Sequence, residues 1–166
     1  MFNEKLLSAF NDQINAELTS AYSYLAMASY FHETNLEGSA AWMQRQAREE
    51  VGHAMKLYDF VHDREGRVTF LAVAQPQGQF NSPLAVWEAA LSQEQKITAR
   101  IHAMYKMAKE QNDYAAEAVL QWFVTEQVEE EKTVRGVLEQ LRKICPASSA
   151  IYFLDRHLGK EAEEKE

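Results

Sequence analysis

Residues 120–131 read LQWFVTEQVEEE. Leu120, Phe123, Gln127 and Glu130 follow one another at spacings of three and four, the period of a single helix face. Continued in both directions, the register passes through Ala116 on one side and Val134, Val137 and Leu141 on the other. The face is apolar at its ends and polar in its middle. Burying an unpaired carboxylate is costly, so Gln127 and Glu130 either look out at water or look in at something that compensates them.

The same interrupted stripe occurs three more times. It runs Leu7, Phe10, Ile14, Glu17, Ala21, Tyr24, Ala28, Phe31 in a first segment. A second reads Met43, Ala47, Glu50, Ala54, Leu57, Val61, and a third reads Leu84, Trp87, Leu91, Glu94, Thr98, Ile101, Tyr105. Four amphipathic segments of this period predict an all-α helix bundle. Asn35 and Gly38-Ser39 separate the first two helices, and Ser82-Pro83 is an N-cap followed by proline at the first helical position. Asn112-Asp113 divides the third from the fourth, and Pro146 stops the fourth. The helices are expected over 3–33, 39–64, 83–110 and 113–144.

Two of the connections are short and predict antiparallel hairpins. The third, about 65–82, is long and holds a strand-like piece, Val68 to Val73. Some 18 extended residues reach roughly 59 Å, more than the roughly 42 Å of a 28-residue helix. The link can therefore cross the whole bundle and leave the second and third helices parallel, a four-helix bundle with one long crossover. Ile151, Tyr152, Phe153, Leu154 and Leu158 predict a short fifth helix over about 147–158, followed by a charged tail, GKEAEEKE, at 159–166. The whole chain, 1–166, reads as a single domain.

Composition narrows the function. A net charge of −8 opposes binding to nucleic acid or to an anionic membrane. No stretch approaches the ~18 apolar residues of a membrane span, and the start, MFNEKLLSAF, has no uninterrupted apolar h-region of a signal peptide. A cytoplasmic location is expected. Cys145 is the only cysteine, which excludes an internal disulfide and a thiolate metal cluster.

The interruptions share a height. Helix midpoints fall at roughly residues 18, 51, 96 and 128, and Glu17, Glu50, Glu94, Gln127 and Glu130 all lie close to them. Midpoints of equal helices meet in one layer whatever the chain direction. Four carboxylates and an amide therefore converge inside an apolar core, and no Lys or Arg falls on the stripes at that level. His53 follows Glu50 by three residues, on the same face. Carboxylates with one imidazole suit a divalent ion such as Fe²⁺, Mn²⁺ or Zn²⁺, and so many ligands suit two ions better than one. Tyr24 stands two turns from Glu17, where its ring packs and its hydroxyl either reaches the cluster or does not. Trp122, Met27, Met43, Met55 and Met104 read as packing, and His32, His62, His102 and His157 as surface or helix-end residues.

The stretches NDQINAELTSAYSYLAMASYF (11–31), REEVGHAMKLYDF (48–60), SPLAVWEAALSQEQKIT (82–98) and LQWFVTEQVEEE (120–131) closely resemble bacterial and archaeal non-haem ferritins. Ferritin-like di-iron proteins combine single glutamates from two helices with Glu-x-x-His from the other two. Glu17 and Glu94 match the single glutamates, and Glu50-x-x-His53 matches one motif. The second motif is replaced by Gln127-Val128-Glu129-Glu130, as in ferritin rather than bacterioferritin. Gly52 stands where a haem-ligating methionine would be expected, so no haem is expected, and the lone cysteine excludes a rubredoxin-type site.

The resemblance implies one iron held by Glu17, Glu50 and His53, and another by Glu50, Glu94 and Glu130 with Gln127 nearby. It implies a third iron beside Glu49, Glu126, Glu129 and Glu130, leaving Glu131 to water or a neighbouring subunit. It further implies a ferroxidase that oxidises Fe²⁺ with O₂, with Tyr24 as a possible electron donor. Ferric oxyhydroxide would then be stored inside a homo-oligomeric cage of 24 subunits. Two other classes are compatible with the residues alone: a di-iron or di-manganese oxygenase or oxidase acting on a small substrate, and a structural bundle whose acids hold no metal.

Overall fold

A computed structural model describes residues 3–144 and 149–164. Five helices carry them: α1 (Glu4–Glu33), α2 (Glu37–Asp63), α3 (Pro83–Glu110), α4 (Tyr114–Lys143) and α5 (Ala150–Glu164). Among the described residues there is no strand, and the architecture is an all-α four-helix bundle with one long crossover and a fifth helix packed on α2.

Side-chain caps set three of the starts. The Asn3 side chain accepts from the Lys5 and Leu6 amides, Ser82 from Ala85, and Asp113 from Ala116. The first three helices end in one way. Asn35, Glu65 and Asn112 each adopt a left-handed conformation, with φ of 57°, 55° and 55°. The next amide then reaches back five residues: Leu36 to the Phe31 carbonyl (2.9 Å), Gly66 to Val61 (2.8 Å) and Asp113 to Ala108 (3.0 Å). These are Schellman closures, which satisfy carbonyls the helix leaves open. α4 ends at Lys143 with Ile144 as its cap; Pro146 and Cys145 lie outside the described residues.

Cross-helix contacts establish the directions. Phe10 stacks on Phe60 and His32 meets Gln44, so α1 and α2 run antiparallel. Arg100 donates to the Asp12 carbonyl and Gln93 to Ser20, so α1 and α3 are antiparallel too. Hence α2 and α3 are parallel. The crossover starts against α1, where Asn11 bonds both the Arg67 carbonyl and the Thr69 amide. It finishes where Phe80 packs edge-on against Tyr30, close to the other end of α1. Its strand-like segment, Val68 to Val73, forms no strand. The crossover runs alone, with no second extended segment among the described residues to supply a ladder.

The apolar core is divided. One cluster gathers Phe31, Trp42, Met43, Trp87, Val134 and Leu138, with Leu154 and Leu158 from α5. The other gathers Leu6, Phe10, Leu57, Ile101, Leu120 and Phe123. The polar interruptions of the four stripes lie between them along each helix.

Several side chains sit differently from their sequence expectation. On α3 the buried face is Val86, Trp87, Ala90, Glu94, Ile97, Ile101, Met104 and Ala108, whereas Leu84, Leu91, Thr98 and Tyr105 are only half-buried. Met55 is exposed, whereas Trp122, though partly exposed, does pack, against His53 and Phe123. Arg45 is a buried cation on α2, where the stripe pattern held none. α5 begins at Ala150 and continues through Glu164, with Ala162 buried, so the charged segment after Leu158 is helix rather than a frayed tail. Its apolar face has the bundle to pack on, which offsets the weak helix tendency of a short charged segment.

Candidate metal centre

Four glutamates enter the same layer because each sits on the inward face of its own helix. Glu17, Glu50 and Glu94 are 0–1% exposed and Glu130 7%, with Gln127 at 2% and His53 at 6%. One ligand atom each from Glu17, Glu50 and His53 lies within 4.8 Å of the others. A second group with the same spacing joins His53 to Glu126 and Glu130. His53 is common to both, and aromatic edges steady its ring, with Trp122 at 5.5 Å and Phe123 at 5.8 Å.

Donors engage some of the acids and leave others bare. The Tyr24 hydroxyl donates to Glu94 Oε1 at 2.5 Å, so it does reach the cluster. Gln127 Nε2 donates to Glu94 Oε2 at 3.2 Å and to Thr98 Oγ1 at 3.3 Å. Gln13 Nε2 donates to Glu17 Oε1 and Gln46 Nε2 to Glu130 Oε2, both at 2.8 Å. By contrast Glu17 Oε2, both carboxylate oxygens of Glu50 and His53 Nδ1 are buried and make no hydrogen bond of ordinary geometry among the described residues, His53 Nδ1 standing 3.8 Å from Glu50 Oε2. Orphaned buried acceptors are rare in native proteins and ask for an explanation. These come from Glu17, Glu50 and His53, the residues of the first ligand group.

Electrostatics points the same way. Burial first, and then the neighbouring Glu50 charge, push the Glu17 carboxyl far above its ordinary range. Burial and the Glu94 charge do the same to Glu50. Glu94 is also raised by burial, against the opposing bonds from Tyr24 and Gln127. Glu130 is pushed up to about 8 by burial, Glu94 and Glu49. The Tyr24 phenol is raised by burial and by Glu94, so it stays a donor. Without a cation, acids this close hold protons; a divalent ion would displace them. Hard oxygen ligands with one imidazole fit a first-row divalent ion.

The remaining acids form an outer fringe. Glu126 is half-buried beside Glu130. The Glu49 side chain is 37% exposed and held at 2.9 Å by Arg45. Glu129 is 62% exposed and faces Lys132 at 3.5 Å. Neither Glu49 nor Glu129 joins a three-ligand group among the described residues. Glu131, expected to face water or a neighbouring subunit, instead clamps its own subunit. It accepts from Thr98 Oγ1 at 2.7 Å and from Arg135 at 3.1 Å.

The stripes missed the glutamines. Gln13 and Gln46 are 1% exposed. Each precedes a cluster glutamate by four residues, in QINAE and QAREE. That repeat was a usable signal, because residues four apart share a helix face.

A family model described as Ferritin-like domain matches residues 7–144. The chain is 37% identical over 166 residues to a bacterial non-heme ferritin of Staphylococcus aureus, covering 100% of both. A bacterial non-heme ferritin of Staphylococcus saprophyticus is 37% identical over 159 residues, 96% of this chain and 95% of that one. In structure, the chain is similar to the open-pore ferritin of the hyperthermophilic archaeon Archaeoglobus fulgidus. That match has a TM-score of 0.94 and 46% identity over 96% of this chain and 98% of that one. The matched segment takes in all but the first three residues of the four bundle helices and every residue of the buried polar layer, and the chain belongs to the ferritin family.

Proposed function

We propose that the protein stores iron and is a ferroxidase: it takes Fe²⁺ as substrate at the buried layer, oxidises it with O₂, and deposits ferric oxyhydroxide inside a cage of 24 copies. The observation that carries the reading is the set of orphaned acceptors on Glu17, Glu50 and His53 at the level where the core divides. One ion is assigned to those three residues. A second is assigned to Glu50, Glu94 and Glu130 with Gln127 beside it, Glu50 bridging the two. A further ion on the fringe would use Glu126 and Glu130, with Glu49 and Glu129 as additional acids.

The chemistry follows from the ligands. Fe²⁺ at the two inner positions and at the fringe each give up one electron, and with a fourth from Tyr24 and four protons O₂ is reduced to two molecules of water. The ferric product is the harder ion and gains most from carboxylate oxygens. Hydrolysis of Fe³⁺ to oxyhydroxide releases protons. Tyr24, bonded to Glu94, is placed to give a further electron and pass its proton to that carboxylate. Membership of the family and the similarity to non-heme ferritins support storage over an oxygenase acting on an organic substrate.

Anaerobic Fe²⁺ titration followed by exposure to air tests this. Two or three ions per chain and a fast ferric absorbance are expected, with oxidation slowed at least tenfold in Glu50→Ala and Glu130→Ala. Unchanged rapid oxidation in both variants would sink the proposed centre. A size-exclusion run separates a cage from a small oligomer.

A further inference from the structure

Gln13 is a buried amide with a cluster acid on one side and a cation on the other. Its Nε2 donates to Glu17 Oε1 at 2.8 Å. Its Oε1 accepts from Arg100 Nε on α3 at 2.9 Å. The same guanidinium donates through Nη2 to the Asp12 carbonyl, also at 2.9 Å. Arg100 is thus fastened to α1 by bonds to two neighbouring residues. It is itself exposed and lines a cleft of about 620 Å³ between α1, α3 and the end of the crossover. The chain Arg100, Gln13, Glu17 therefore runs from the surface to the buried polar layer.

The two ends of a glutamine amide are not equivalent. A guanidinium only donates, so Gln13 turns its oxygen to Arg100 and its nitrogen inward. That nitrogen also only donates, and the acceptor it meets is Glu17 Oε1. The other oxygen, Glu17 Oε2, is left bare and buried. It belongs to the carboxyl that groups with Glu50 and His53 within 4.8 Å. The direction of the chain thus decides which oxygen of Glu17 the protein engages and which stays free. Water can serve an exposed arginine. Gln13 has less choice, because a buried amide needs partners at both ends.

We infer that Arg100 is a positioning residue that acts through Gln13 to hold Glu17 as a one-oxygen ligand, with Oε1 kept on the amide and Oε2 presented to the inner ion. The inference deepens the proposed inner site of Glu17, Glu50 and His53 and rests on it. Hydrogen-bonding partners of this kind orient metal ligands, and losing one typically weakens metal binding roughly 10- to 100-fold. Arg100 makes its bonds to Gln13 and Asp12, not to a ligand; it sets the amide that touches one.

Calorimetric titration of the assembled protein with Zn²⁺, a redox-inert probe, tests it. The binding step lost in His53→Ala identifies the ion in question. Gln13→Leu should weaken that step roughly 10- to 100-fold. Arg100→Ala should weaken it by a smaller factor and leave the second inner ion unchanged. The double variant should bind no more weakly than Gln13→Leu alone, because Arg100 acts through that amide. Arg100→Lys, able to donate to the same oxygen, should restore part of the loss. An unchanged affinity in Arg100→Ala overturns the inference. Losses that multiply in the double variant also overturn it, since they mark Arg100 as acting through charge or general stability. If Gln13→Leu does not fold, a crystal of the unaltered protein grown with Zn²⁺ decides. Glu17 should bind through the oxygen that Gln13 leaves free, with the Gln13 and Arg100 bonds intact; a zinc held by both oxygens overturns it. Glu17→Ala separates the inference from the reading beneath it. A step that survives Glu17→Ala removes the inner site and the inference together; a step that needs Glu17 but ignores Gln13 and Arg100 removes the inference alone.

Discussion

Tyr24 on α1 donates its hydroxyl to Glu94 on α3, a 2.5 Å bond between two fully buried side chains. The bond ties the apolar cluster on the Trp42 side to the polar layer, because the Tyr24 ring packs edge-on against Trp42. Tyr24→Phe keeps the ring and removes the donor. Glu94 then has one supporting bond fewer, and its carboxyl rises further. The variant should lose about 1–3 kcal/mol of metal-free stability and should still bind two inner ions. Its oxidation should slow at the step that consumes a further electron. Denaturant unfolding and stopped-flow ferric absorbance check the two parts separately.

The buried acids set a pH dependence. A carboxyl whose folded pKa is raised binds more protons folded than unfolded between the two values, so stability falls as pH rises through that window. For Glu130 the window runs from the ordinary 4.5 to about 8, and Glu17, Glu50 and Glu94 shift in the same direction. Asp113, held low chiefly by Arg64, acts oppositely, but below its ordinary 3.8. Metal-free protein should therefore melt lower at pH 8.5 than at pH 5.5, tested at roughly those two values because the first lies beyond the window and the second in its lower part. Saturating Zn²⁺ should cancel or reverse the trend, and a pH-stat should register proton release on binding. A melting temperature that climbs with pH in the metal-free protein would contradict the assignment.

Gly38 is required by α5. A Cβ there would meet the Asp155 carbonyl oxygen at 1.8 Å, and Gly159 also lies against it. Asp155 meanwhile caps the start of α2 through the Gly38 amide (3.0 Å) and the Ser39 amide and hydroxyl (2.7 Å each). Gly38→Ala should lift α5 off the bundle and cost about 1–3 kcal/mol. Hydrogen exchange should rise over residues 150–164 and stay low in α1 and α3. Protection of α5 equal to that of the unaltered protein would refute the packing argument.

Glu65 closes α2 in a left-handed conformation, φ 55°, that glycine adopts freely. It is exposed, so its side chain gives up little packing. Glu65→Gly should raise stability by about 1 kcal/mol, the strain released at the αL position. Gly66, next to it, cannot be changed in the same spirit, since a Cβ would press on Val61 and Leu7 at 2.9–3.0 Å. A pair of thermal unfolding curves settles the sign.

Helix positions, the cap at Ser82, the break at Asn112-Asp113, and the burial of Glu17, Glu50, His53, Glu94, Gln127 and Glu130 could all be read before any coordinates. The reason is local. In an α-helix, residue number fixes the direction of each side chain about its own axis, and four stripes broken at mid-length leave few ways to close a core. Which direction meets a neighbour is not local. On α3 two seams were available, Leu84-Leu91-Thr98-Tyr105 and Ala90-Ile97-Met104-Ala108, and only packing against α1 and α4 selected the second. The same holds for the donors. Sequence alone places four acids in one layer; only the assembled bundle decides that Tyr24 and Gln127 hold Glu94, that Gln46 crosses to Glu130, and that Arg45 is buried with Glu49 as its partner. Hydrogen bonds between helices depend on ångström-scale offsets of one axis against another, and no pattern within a single helix encodes those.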